Sequence, residues 1–170
     1  MCTVLKSAKE VQESILPWLS LYGYMNLTAG NLAFDKKTRR GPIVYEYSDI
    51  TNTKFSRGSL DAVTCLSVIE HGVNLDAYFS EMSRIIRAGG ILITSTDYYE
   101  TPIDTKGQEA FGVPIHIFTK DEIAHGLEVA ARYGFSLMSP INLSSPEKVV
   151  HWKEYDLRYT FVIFSLQKVC

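Results

Sequence analysis

Apolar and polar positions along the chain switch between two periods. Residues 60–68 form a near-continuous apolar and β-branched run, as a strand buried on both faces should. After Asn74, a residue suited to cap a helix, Leu75, Tyr78, Phe79, Met82, Ile85 and Ile86 recur at the helical period. Arg84 and Arg87 stand in the last turn, and Gly89-Gly90 follows as a stop. Residues 90–94, Gly-Ile-Leu-Ile-Thr, then open a second buried strand. The stretch 59–99 therefore predicts one β-α-β unit, parallel and right-handed.

The flanking segments read in the same way. Residues 2–5 predict a short strand. Ser7-Ala8-Lys9-Glu10 has the form of a capping box. The helix after it sets Val11, Ile15, Leu16, Leu19 and Tyr22 on one face, kinks at Pro17 and ends at Gly23. Residues 27–32 and 43–47 read as strands, the second closed by Ser48-Asp49, and 51–58 as a loop. Residues 97–114 are polar and irregular, a long loop of the functional kind.

Thr119-Lys120-Asp121-Glu122 is a second capping box, with Phe118 and Ile123 placed as its hydrophobic staple. Its helix turns Ile123, Leu127, Ala130 and Ala131 inward and stops at Gly134. Residues 135–141 read as a strand, 142–155 as a connection and 157–168 as a long final strand. Helices alternate with strands until two strands close the chain. That order argues for a mostly parallel α/β sheet of about seven strands with a terminal antiparallel hairpin.

Composition narrows the class. With 170 residues, 46% hydrophobic, 21% charged and a net charge of -2, the chain reads as one globular domain, 1–170. Nucleic-acid binding, which needs a basic face, is not expected. The run Lys36-Lys37-Thr38-Arg39-Arg40 is short, flanked by turn residues, and reads as a solvated loop. Cys2, Cys65 and Cys170 show no metal spacing; Cys65 falls in a buried strand, as a small hydrophobe in a reducing cytoplasm would. Lys6, Lys9, Glu10 and Glu13 interrupt the first 21 residues, so neither a signal peptide nor a membrane span is expected. There is no nucleophile elbow and no P-loop lysine motif.

The central pattern, DAV…SVIEH…YFSEMSRIIRAGGILITST, resembles the class I S-adenosylmethionine-dependent methyltransferases, in the broad type 11-like group. The resemblance implies a Rossmann-like, mostly parallel seven-stranded sheet with a C-terminal antiparallel strand and helices on both faces. It also implies S-adenosylmethionine as cofactor and methyl transfer to a small-molecule, lipid or glycan acceptor. Measured against that group, the chain lacks the usual N-terminal helices. Its glycine-rich cofactor loop is replaced by Lys6-Ser7-Ala8-Lys9-Glu10, which leaves Ser7 as the contact there.

By the same resemblance, Asn31 would meet the ribose, or Asp35 if the register slips by four. Asp49 would take the adenine amino group, Ile50 would cover the ring, and Leu66 and Ser67 would lie under the sulfonium. Glu70, Asp97, Tyr98 and Tyr99 would face the substrate, with His71 and His116 as competing general bases. Asn31 reads equally as an ordinary turn former, and an Asp ending a strand, as Asp49 does, is also a common one. Relatives that hold a metal carry a second Glu where Ser67 stands, so Glu70-His71 offers at most two ligands and no metal is expected. The missing glycines imply an alternative, a degenerate non-catalytic protein of this fold serving as an interaction module or a truncated remnant. A short domain with an uncovered flank is further expected to form a homodimer.

Overall fold

The computed structural model describes residues 2–4 and 15–169. In chain order the described elements are β1 (Cys2–Val4), α1 (Ile15–Leu21), β2 (Leu27–Asn31), β3 (Thr38–Arg40), β4 (Ile43–Tyr47), β5 (Leu60–Leu66), α2 (Leu75–Ile85) and β6 (Ile86–Tyr98). They continue with β7 (Glu109–Ala110), β8 (Val113–Pro114), α3 (Lys120–Arg132), β9 (Phe135–Leu137), β10 (Val150–Trp152) and β11 (Leu157–Lys168).

The expected central unit is β5-α2-β6, with the two strands parallel. Asn74 caps α2, its Oδ1 accepting the Ala77 N–H at 2.9 Å. The helix passes straight into β6 through a register irregularity opposite Leu60 and Ala62. Gly90 belongs to that bulge rather than to a helix stop. A Cβ there would stand 2.8 Å from the Asp61 carbonyl oxygen and 2.9 Å from that of Arg87, so no other residue fits. The second capping box forms as expected, with Thr119 and Glu122 bonded reciprocally.

Strand order is β10-β11-β6-β5-β1-β2-β4-β3, with β9 also on β11. The five strands β6, β5, β1, β2 and β4 run parallel. β11 lies antiparallel to β6, β9 and β10 lie antiparallel to β11, and β3 antiparallel to β4. The sheet is thus mixed and has nine described strands, not seven. The two extra ones are short edge pieces, β3 from the basic run expected to be a loop and β10 from the connection after β9. Charged edge strands such as β3 resist pairing with a further chain.

Register assigns the faces. Val63, Leu92 and Leu166 share one row and pack in the main core with Phe79, Met82 and Ile123 of the helices. α2 and α3 therefore cover one face of β5, β6 and β11. Leu27, Ala29, Ile43 and Tyr45 point the other way and pack with Leu16 of α1. The crossover from β2 to β4 holds only β3, and that from β4 to β5 only turns, so three helices are all that the described residues contain.

Several inward assignments change. Val129 and Gly126 of α3 are buried whereas Ala131 is exposed, because the helix meets α2 on a narrower stripe. Tyr22 is exposed rather than on the inner face of α1, since that helix ends at Leu21. Pro17 lies within the described span of α1. The Ser7–Glu10 capping box lies outside the described residues. Within 97–114 the chain forms the β7-β8 hairpin, seated in a third cluster with Ile115, Leu157 and Tyr159. No helix among the described residues is long and apolar enough to cross a membrane.

Candidate active site

Open α/β sheets leave a crevice outside the carboxyl ends of their parallel strands. Here those ends are level. Asn31 pairs with Tyr47 and Leu66 with Ser95, while Val4 lies between Gly30 and Cys65 one step below. With strands about 4.8 Å apart, Asn31 and Leu66 flank β1 across roughly 10 Å. The Ser48 N–H donates to the Asn31 carbonyl at 3.2 Å, which brings Asp49 to the same edge. Asn31, Asp49 and Ser67 share one rim.

Each rim residue is held by its own turn. Asn31 is buried and its Oδ1 accepts the Ala33 N–H at 2.7 Å. Asp49 Oδ1 accepts both the N–H and the hydroxyl of Thr51, at 2.8 and 2.7 Å. Ser67 sits at φ 50°, a left-handed conformation uncommon outside glycine, and its N–H donates to the Ser95 carbonyl at 3.1 Å. Its neighbour Leu66 is half-buried. Asp35 lies at the outer end of the rim, exposed, in a cleft it shares with Lys36, Lys37 and Lys54.

Beyond Ser67 the site turns polar and deep. Glu70 is only 2% exposed, and its Oε2 accepts the Thr96 hydroxyl at 3.1 Å. His71 is half-buried, with Nε2 3.9 Å from Glu70 Oε1, too long for a hydrogen bond. Asp97 is buried as well and bonded to Tyr159. Burial, then the adjacent Asp97 carboxylate, then Glu70 push the Tyr159 phenol well above its usual range, so it stays a hydrogen-bond donor.

The β7-β8 hairpin reaches over this floor. Its two turn residues, Phe111 and Gly112, both have positive φ (57° and 79°), the type I′ geometry that favours Asn-Gly. The exposed Phe111 ring meets the His71 ring edge-on at 5.3 Å.

Residues 15–94 match the methyltransferase domain family. The sequence matches no curated protein. Among solved structures, the S-adenosylmethionine dependent methyltransferase from Mesorhizobium loti aligns at 17% identity and TM-score 0.68, over 98% of this chain and 89% of that one. The geranyl diphosphate C-methyltransferase from Streptomyces coelicolor, at 15% identity and TM-score 0.67, covers 99% of this chain and 70% of its own. The [4+2]-cyclase SpnF aligns at 10% identity and TM-score 0.70, over 99% and 74%. The fold is that of class I methyltransferases. A cyclase superposes on it as well as the methyltransferases do, so the reaction must be argued from the site.

Within this methyltransferase fold, three expected site residues take other places. Tyr98 is 2% exposed in the main core and its hydroxyl donates to the Leu143 carbonyl, so it offers no face to a substrate. Ile50 is likewise buried in that core and anchors the Asp49 turn from beneath. His116 is exposed, 3.3 Å from Glu122 at the start of α3, and packs on Phe118; it does not join His71. Tyr99 is half-buried against the third cluster, with the Lys148 ammonium 4.4 Å from its ring centroid. Ser7 lies outside the described residues. Among those described, no group of three or more His, Cys, Asp or Glu could hold a metal.

Tyr159 escapes sequence reasoning. It sits in a twelve-residue strand whose alternation signals only burial, and its acidic partners are more than sixty positions away. A strand-borne Tyr at the level of the rim was the one available signal.

Proposed function

We propose that the chain is an S-adenosylmethionine-dependent methyltransferase acting on a small acceptor in a reducing cytoplasm. Its cofactor would lie along Asn31, Asp49, Leu66 and Ser67, and its acceptor over Glu70, His71 and Asp97. The observation that carries this reading is the shared rim, with a buried polar floor directly beyond it. The residues fit the cofactor in kind. Asp49 Oδ1 is taken up by its turn, which leaves Oδ2 to accept from an amino group. Asn31 has its side-chain amide for a hydroxyl.

When bound, the cofactor supplies a methyl group on a sulfonium, activated for displacement. The chain's own work is alignment and exclusion of water. Thr96 and Tyr159 hold the carboxylates of Glu70 and Asp97, fixing acceptors for an incoming N–H or O–H. His71, beside them and under Phe111, is the group placed to take a proton from the acceptor.

Calorimetry and thermal shift with S-adenosylhomocysteine test the reading. Ligand at 100 times its Kd should stabilise the protein by about 2.7 kcal/mol. Asp49→Ala should weaken binding about tenfold or more, as loss of a hydrogen bond to a charged group does. The absence of glycine from Lys6-Ser7-Ala8-Lys9-Glu10 motivates the alternative, a non-catalytic protein of the same fold. Absence of any heat or shift at about 1 mM ligand would decide for it.

A further inference from the structure

Residues 15–34 contain no charged side chain. Within that stretch α1 has Ser20 as its one polar side chain: Leu16 is fully buried and Leu19 packs beside it, yet Trp18 is 64% and Leu21 78% exposed. The turn that follows adds Tyr22 at 81%, Tyr24 at 55% and Met25 at 66%. A helix that is hydrophobic all round is ordinarily buried all round. Taking about 200 Å² for a whole aromatic side chain, these five expose on the order of 600 Å². That is the upper end of what a monomer shows as one patch.

We infer that this surface is a two-fold interface with a second copy of the chain. Its area, with a polar rim, approaches the roughly 800 Å² per partner of a standard stable interface. Its residues are Trp, Tyr and Met, the types enriched at interface centres, while charge is absent. Neutrality also favours self-association. In a two-fold contact every residue faces the same patch on the partner, so any charge would tend to meet its like, and here there is none to meet. Membrane-surface helices carry Lys and Arg on their polar face, whereas α1 has no basic residue. Beside the patch, Tyr24, Met25, Thr28 and Val44, with Arg39 and Asp61, line a cleft of about 630 Å³ on a sheet face that no described helix covers, which gives the partner's tyrosine side chains an apolar and polar seat.

Sedimentation of the whole chain between about 1 and about 100 μM tests this without reference to any methyl transfer. The expected result is a species of twice 19.2 kDa. Trp18→Glu and Tyr22→Lys should each weaken it about 100-fold with an unchanged circular dichroism spectrum. The second variant lies past the helix, so it remains informative if the first fails to fold. Trp152→Phe, which leaves Trp18 as the only indole, should show emission shifting to the blue as the dimer forms. A wild-type chain that stays monomeric at about 100 μM would overturn the proposal, as would a dimer that both substitutions leave intact. Partition of wild-type monomer onto phosphatidylcholine vesicles would overturn it in favour of a lipid surface.

Discussion

The two halves of the sheet are built to different standards. Around β5, β6 and β11, twenty buried apolar residues form one core under α2 and α3. Around β2 and β4 the described residues bury five, under α1, and no described helix lies on the opposite face. The first half has a helix in each of its crossovers; in the second, α1 precedes β2, and between β2, β4 and β5 there are only an edge strand and turns. The difference teaches where precision resides. The deep half holds Glu70 and Asp97 in fixed geometry by burying their partners. The thin half holds Asn31 and Asp49 by local turns, which need no core behind them.

The largest expected effect separates the halves directly. Phe79→Ala, in the deep core, should cost about 4 kcal/mol by urea unfolding, whereas Leu16→Ala should cost about 2 because its small cluster can collapse. Equal losses would erase the distinction.

Next is the loop that joins the halves. Glu81 accepts from the Thr53 N–H and hydroxyl at 2.7 and 2.6 Å and from Arg84 at 2.7 Å, tying 53–55 to α2. Burial alone would raise its carboxyl, but the Arg84 and Thr53 hydrogen bonds outweigh it and hold the group below its usual 4.5. A depressed acid contributes stability that is full above 4.5 and lost as pH falls through the lower folded value. Glu81→Gln should therefore cost about 2 kcal/mol at neutral pH and flatten the acid limb of a stability–pH curve. An unchanged acid limb would place the pH sensitivity elsewhere.

The smallest effect concerns the roof of the deep half. Phe111→Asn places at a left-handed position a residue that tolerates it, and should raise stability by about 1 kcal/mol in thermal melts. The same change should lower turnover wherever Phe111 covers a bound acceptor, since strain retained at an exposed ring marks function better than packing. A variant that is stabilised and fully active would make the turn merely suboptimal.

The candidate rim residues are legible in the sequence because they lie at or just past strand ends, and a strand's end is a local property. Asn31, Asp49 and Ser67 do reach one rim. Tyr98, the last residue of β6, is sent into the core by the pleat and fixed there by its bond to the Leu143 carbonyl, a partner no local pattern shows. Ile50 lies in the turn past β4 and is buried in the main core. The two histidines looked equivalent in sequence, yet one is drawn under a hairpin and the other onto a helix cap.

The chain's own order of residues determined its periods, caps and central β-α-β unit, since these depend on neighbours within a few positions. Tertiary structure alone decided the rest. The three residues of β3 and of β10 become strands only because β4 and β11 offer them hydrogen bonds. Tyr159 becomes part of the site because β11 lies beside β6. The apolar side of α1 is exposed because no other described element reaches it. β3 and β10 pair with strands only a few positions on, which are themselves held by β2 and β6, whereas β11 meets β6 across more than sixty positions, a partner that no local pattern encodes.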